Sequence, residues 1–362
     1  MKRIRLFFME VNMKKVGIVT INGNNNFGNK LQNYALLKTV EKMGFNVETI
    51  WFVSDKKIFF RNMIKKFFPL KRTYRRFKKF LKFTDDYLSV KYYFNSNIGE
   101  YYDYFVVGSD QVWNYNFKNY YSKNVFLPFS EKRKNISYAA SIGVENISND
   151  YIDEFRAGLK NFKAISVRED RAKELVENLD DGLNAVVLVD PTMLLDVNEW
   201  DCLVKKPKKL GSNKFILNYF LGKLSKEKRE EIERIAKEND CVIVNILDIN
   251  SPFYECGPRE FLYLEKNAFL VCTDSFHSSV FAFLFDRPFI VFERDDKEEK
   301  MSSRINTLLS KFHLDDRRFC EKITDECLKH DYTEAYKILE DEKEKSYTFL
   351  KKSLIDGDEE NV

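Results

Sequence analysis

Four stretches of this 362-residue chain carry residue types able to hold an anion or move a proton. The richest is 268–294, AFLVCTDSFHSSVFAFLFDRPFIVFER. Residues 268–272 read as a short buried strand, Thr273, Asp274 and Ser275 break it, and Val280, Phe281, Leu284 and Phe285 follow at helical spacing. Pro288 then opens a second apolar strand. With Asp274 as N-cap, His277 falls at the third helical position, in the first turn. Backbone N–H groups there lack intrahelical partners and the helix dipole favours an anion, so an imidazole at this point suits phosphate chemistry. A capped core helix whose histidine satisfies one hydrogen bond is the competing reading.

The other three stretches also lie where an apolar run stops. Residues 104–107 (YFVV) run into Gly108-Ser109-Asp110-Gln111, which places Asp110 and Gln111 at a carboxyl edge of a sheet, where ligands of open α/β folds sit. Asp110 there is either a base or sugar-hydroxyl acceptor, or a helix cap. Residues 164–167 lead into Arg168-Glu169-Asp170, and an arginine at such a point clamps an anion or pairs with a carboxylate. The loop 22–29, NGNNNFGN, offers the amides of Asn25 and Asn29 to a sugar or phosphate, or forms a tight turn with Asn and Gly at positive φ. It is not a G-x-G-x-x-G nucleotide fingerprint.

The elements that must position these residues alternate strand and helix. Strands are expected at 16–21, 46–52, 104–107, 136–140, 164–167 and 186–189, about six in a first domain spanning 13–200. The polar stretch 205–212 (KKPKKLGS) reads as a linker. A second α/β domain follows over 211–330, with strands at 215–219 and 241–246, a helix at 225–239 capped by Ser225, and a helix at 258–266 with Pro258 in its first turn. A helix near 303–312 precedes a long charged helix from 332 to 352, so 331–362 forms a C-terminal helix and tail. The expected fold class is α/β, two Rossmann-like domains facing a cleft, and the cleft is the expected site.

Composition excludes several classes. No run of 18 uncharged apolar residues exists, so no segment reads as membrane-spanning, and residues 1–20 do not read as a secretory signal. Met13 reads as a more natural start, with 1–12 an upstream extension. The 6 cysteines form no C-x-x-C pair and only 3 histidines accompany them, which argues for reduced, cytosolic thiols and against a metal site. The net charge of +4 conceals a basic block at 56–82 that contains no acidic residue, leaving the remainder net negative. Within it Phe60, Met63, Ile64 and Phe67, then Tyr74, Phe77 and Leu81, imply two amphipathic helices with cationic faces. Two readings stand: a peripheral patch on an anionic membrane, or a helical hairpin packed on the sheet. No nucleic-acid-binding module accompanies the charge.

Six ordered motifs carry a family resemblance: NNFGNKLQNYAL (25–36), VVGSDQVWN (106–114), SYAASIG (137–143), SVRED (166–170), DPTMLL (190–195) and TDSFHSSVFAFLFDRPFI (273–290). Together they resemble the polysaccharide pyruvyl transferase family across about 16–314. The resemblance implies a fold like that of GT-B glycosyltransferases and transfer of a pyruvyl group from phosphoenolpyruvate to paired sugar hydroxyls as a ketal. It implies His277 as general acid/base, Asp110 in the chemistry, and Arg168 as an anion clamp. It puts the donor beside the helix start at Asp274, Ser275 and Ser278, and the acceptor beside Asn25, Asn29 and Gln111. Many members have arginine two residues before the histidine, where this chain has Ser275, so the missing cation is expected from Arg294 or, better, Arg304. Ser278 replaces a family glycine and is expected to narrow the pocket. Phosphoenolpyruvate is then a co-substrate with no further cofactor and no metal, and the acceptor a surface polysaccharide or its lipid-linked precursor. The place implied is cytoplasmic, peripheral at the inner face of the plasma membrane. The alternatives are a GT-B nucleotide-sugar glycosyltransferase and a non-catalytic saccharide-binding relative.

Overall fold

The computed structural model describes residues 13–53, 71–118, 121–295 and 302–355. Its first sheet holds β1 (Lys15–Val19), β2 (Asn46–Phe52), β3 (Val90–Tyr93), β4 (Tyr104–Val107), β5 (Asn135–Ala140), β6 (Ala164–Val167) and β7 (Val186–Val187). All neighbours are parallel, in the order β3-β2-β1-β4-β5-β6-β7. Its helices are α1 (Phe27–Lys42), α2 (Arg72–Tyr87), α3 (Asn149–Leu159), α4 (Asp170–Glu177) and the short α5 (Val197–Asp201). The central strands are buried on both faces, as an all-parallel sheet requires, so β1 and β4 appear in sequence as apolar runs, while β5 buries Asn135 and Ser137 among its apolar residues. One strand more is present than the apolar runs suggest: β3, VKYY, is short, half-exposed and at the sheet edge.

A second parallel sheet, in the order β11-β10-β8-β9, is formed by β8 (Phe215–Tyr219), β9 (Val242–Asn245), β10 (Leu270–Thr273) and β11 (Phe289–Val291). Around it lie α6 (Lys226–Glu238), α7 (Pro258–Asn267), α8 (Phe276–Leu284), α9 (Ser302–Lys311), α10 (Asp325–Leu328) and α11 (Thr333–Leu354). Ser225 caps α6 by accepting from Lys228 N at 3.3 Å. The C-terminal helix α11 touches both domains: Tyr336 Oη donates to Phe283 O and Tyr347 Oη to Leu194 O, each at 2.9 Å.

One apolar core cluster runs through both domains, and each domain keeps a further cluster of its own. Phe27, the first residue of α1, stacks on Phe261 of α7 with centroids 4.6 Å apart, and Trp200 meets Phe281 edge-on at 5.0 Å. Helix α2 lies across this junction. Its buried stripe is Arg76, Phe80, Leu81, Phe83 and Thr84, so an arginine sits in the apolar face where Tyr74 and Phe77 were expected. Three of its other cations turn to the second domain: Arg72 and Arg75 pair with Glu255 and Lys79 with Glu260, at 2.7–3.0 Å, while Lys82 pairs with Asp86 of the same helix. Over this half of the basic block, four cations, Arg72, Arg75, Arg76 and Lys79, contact the second domain, and Lys78 and Lys82 stay exposed. The other half of the block, with the expected helix at Phe60–Phe67, falls outside the described residues.

Candidate active site

Every functional side chain of the first domain hangs from the carboxyl end of a strand, the edge at which parallel sheets bind ligands. After β4 the chain turns through Gly108 at φ +121°, where a Cβ would stand 2.2 Å from Tyr138 O. Only glycine fits, and the turn leaves Asp110 itself at φ 68° with its carboxylate inward. Asn29 Nδ2 donates to Asp110 Oδ2, and Arg168 Nη2, after β6, lies 3.3 Å from Oδ1. Arg168 Nη1 reaches Asp190 Oδ2 at 2.7 Å, and the guanidinium lies 4.4 Å over the ring of Phe276. Asp190 follows β7 and is fully buried, accepting also from Ser109 Oγ at 2.9 Å and from Thr192 N and Oγ1 at 3.0 and 2.7 Å.

Burial alone would push Asp110 up, but Arg168, His277 and Arg304 outweigh it and hold the carboxyl below its usual range. Asp190 behaves likewise: burial raises it, and His277, Arg168 and Thr192 more than reverse that. Glu169 goes the other way. Burial pushes it up despite Arg168, Arg304 and hydrogen bonds from Ser141 Oγ and Gly143 N. The centre therefore holds ionised Asp110 and Asp190 around one guanidinium.

From the second domain, β10 and α8 present the histidine. Ser275, not Asp274, is the N-cap of α8 (φ −107°, ψ 128°), so His277 is its second residue rather than its third. The physical reason lies in competing donors. Asp274 accepts from Leu221 N, Gly222 N and Arg294 Nε, each at 2.7 Å, which turns its carboxylate away from the helix. The imidazole is nearly buried, with Nε2 3.7 Å from Asp190 Oδ2, beyond hydrogen-bond reach. Its other side rests on the first turn of α1: a Cβ on Gly28 would fall 2.1 Å from Nδ1. The N-terminal turns of α1 and α8 thus face each other across the domain junction.

Between the domains is a cavity of about 380 Å³, within the usual small-molecule range of about 300–1,000 Å³. Asn25, Asn29, Asp110 and Gln111 line it on one side, and Asp274, Ser275, His277, Arg294 and Arg304 on the other. Arg304 Nη1 lies 4.0 Å from Asp110 Oδ1, and burial lowers its pKa to about 10. The Gln111 amide stands between two neighbours: one orientation accepts from Asn114 Nδ2 at 2.8 Å, the other from Arg304 at 3.2 Å.

Two residues singled out from the sequence do not line this cavity. Arg168 lies behind it, held by Asp110 and Asp190, so it supports the wall rather than presenting a free cation. Ser278 is fully buried and donates to Glu265 Oε1 of α7 at 2.6 Å, so it does not narrow the pocket. Asp190 and Gly28 escaped the sequence reading. Both stand in the quoted family motifs without a role assigned to them: Asp190-Pro191-Thr192 signals only a strand stop and Gly28 only part of the loop 22–29, whereas the helix begins at Phe27 and includes Gly28.

Fold and site together define a two-domain α/β protein of GT-B type with a cavity between its domains. The family model of polysaccharide pyruvyl transferases matches residues 26–296, and the chain belongs to that family. A comparison with curated protein sequences finds no match. Among solved structures, one from Listeria monocytogenes assigned as a UDP-N-acetylglucosamine 2-epimerase superposes with TM-score 0.51 at 14% identity, covering 93% of this chain and 91% of that one. The UDP-GlcNAc 2-epimerase of Neisseria meningitidis, solved with UDP-GlcNAc bound, gives TM-score 0.49 at 10% identity, covering 95% of this chain and 100% of that one. At 14% identity the Listeria likeness speaks for the fold alone. No described helix is long and apolar enough to cross a membrane.

Proposed function

We propose that this chain transfers the pyruvyl group of phosphoenolpyruvate to two hydroxyls of a saccharide, forming a cyclic ketal. The observation that carries the reading is the convergence of an imidazole, an ionised carboxylate and two guanidinium groups on one cavity. Phosphoenolpyruvate bears a carboxylate and a phosphate on a three-carbon frame. The α8 N-terminus with Arg304 and Arg294 supplies N–H donors and positive charge for both. In the reaction the methylene carbon gains a proton, positive charge develops at C2, two hydroxyl oxygens bond to C2, and the C2–O bond to phosphate breaks. Of the two acceptor protons, one ends on the methyl group and the other with the departing phosphate. His277 delivers the proton to carbon, and Asp110, kept ionised by its cationic neighbours, accepts one from a hydroxyl. Asn25, Asn29 and Gln111 face the sugar. Arg168 and Asp190 hold Asp110 and His277 at their spacing and touch no substrate.

The test is phosphate release by the purified chain from phosphoenolpyruvate with a panel of lipid-linked and free saccharides. Release that requires an acceptor, with a ketal in the product, is expected. Turnover of a nucleotide sugar with no use of phosphoenolpyruvate would replace this reading with that of a glycosyltransferase.

A further inference from the structure

The buried arginine of α2 has no place in the chemistry above. Arg76 is 4% exposed, yet among the described residues no carboxylate pairs with it. Its Nη1 donates to Ile246 O at 2.9 Å and Tyr254 O at 2.7 Å, both in the second domain. Its Nη2 reaches back to Asn25 O at 3.5 Å, in the loop that lines the cavity. The guanidinium also lies over the rings of Phe27, Tyr254 and Phe80 at 4.6, 5.2 and 5.4 Å. A cation desolvated against neutral carbonyls is an expensive way to fill an interface, and burial pulls its pKa down accordingly. The planar fork gives something an apolar side chain cannot: directed bonds to two domains from one rigid group.

We propose that Arg76 is a positioning residue of the cleft. It fixes the Asn25 loop and the first turn of α1 against the second domain, so that the acceptor side of the cavity is formed before the saccharide arrives. The proposal rests on the pyruvyl-transfer reading for the identity of that acceptor. Its geometric part concerns the spacing between Asn25 and the 246–254 loop, and hence between Gly28 and His277. The part-buried pairs of Arg72 and Arg75 with Glu255 run along the same junction, and none of the three residues lines the cavity, which makes them a matched control.

Two measurements on the full chain test this. Steady-state kinetics of Arg76→Met, where both proteins are fully folded, should show kcat/KM for the saccharide down by about 10- to 100-fold, the usual cost of misplacing a reactant. KM for phosphoenolpyruvate should stay within about twofold, as expected when only one substrate loses binding. Arg76→Lys, which keeps the charge but not the fork, should fall between, and Glu255→Gln should stay within about twofold because neither Glu255 nor its partners Arg72 and Arg75 line the cavity. Equal losses for both substrates, or an Arg76→Met enzyme indistinguishable from Glu255→Gln, would overturn the proposal. Hydrogen exchange reads the same claim without substrate: in Arg76→Lys, amides of 22–28 and 246–254 should exchange faster while β4, β5 and β6 keep their protection. Unchanged exchange at 22–28 overturns the proposal, even if Arg76→Met proves too unstable for kinetics. If the wild-type chain shows no turnover with phosphoenolpyruvate, the functional reading falls, and the exchange result still decides the role of Arg76.

Discussion

His277, Asp190 and Arg168 form a chain of contacts, with Arg168 Nη1 2.7 Å and His277 Nε2 3.7 Å from the same Asp190 oxygen. Asp190 is saturated with donors from Ser109, Thr192 and Arg168, so its remaining pull on the imidazole is electrostatic, across 3.7 Å. His277→Ala should lower kcat by about 10²–10⁴-fold with the fold intact, the usual worth of a positioned acid/base. An unchanged rate of acceptor-dependent phosphate release would remove the imidazole from the mechanism. Arg168→Met should act differently, because it strands Asp110 and Asp190 without their shared cation. Breaking a buried pair in this way costs about 3–5 kcal/mol, to be read as a shifted midpoint in urea unfolding. A midpoint within experimental scatter would show that the two carboxylates need no common partner. His277 was legible in the sequence because it stands at a strand–turn–helix junction. The role of Arg168 was not, since an arginine at a strand end can meet a ligand or a carboxylate, and only tertiary structure chooses.

At the scale of elements, most strands and helices could be read because apolar runs and caps are local properties. The β8 strand, the Ser225 cap and the Pro258 helix start lie where those signals put them. Edge strand β3 was missed because a half-exposed VKYY has no apolar run, and Arg76 because periodicity assigns an arginine to water. The packing of α7 on α8 hides a further element-level feature. Glu265 is fully buried, accepts only from Ser278 among the described residues, and burial pushes its carboxyl well above the usual value of 4.5. An acid raised in the folded state keeps its proton longer than it does in the unfolded chain. The unfolded chain therefore binds fewer protons once the pH passes about 4.5, and stability drains away from there upward. Glu265→Gln keeps the bond to Ser278 and removes the titration, so its stability relative to wild type should rise from pH 4 to pH 8, each pH taken as about the flank of that shift. Parallel urea-midpoint curves for the two proteins over that range would show that Glu265 is ionised inside the fold.

For the whole molecule the decisive property is that, although each domain keeps a core cluster of its own, the largest cluster runs through both. The cluster containing Val16, Val106 and Tyr138 of the first domain also contains Leu217, Phe261 and Phe281 of the second, and α11 packs on it through Leu339, Leu350 and Leu354. Even the expected linker is tied down: Lys205 N donates to Arg259 O at 3.1 Å, and Arg259 Nε to Leu203 O at 2.7 Å. Domains joined through a polar, hydrated junction unfold independently, whereas a continuous apolar junction couples them. Calorimetry should therefore give one transition, with calorimetric and van't Hoff enthalpies in agreement. Phe261→Ala is the sharpest probe, because that ring stacks on Phe27 and meets Tyr219 and Phe281 edge-on at the junction. Its loss should cost about 3–5 kcal/mol and broaden or split the transition. Two resolved transitions in the unmodified chain would mean that the cleft is bounded by bodies free to move apart, and that the spacing of His277 from the Asn25 loop is not built into the fold.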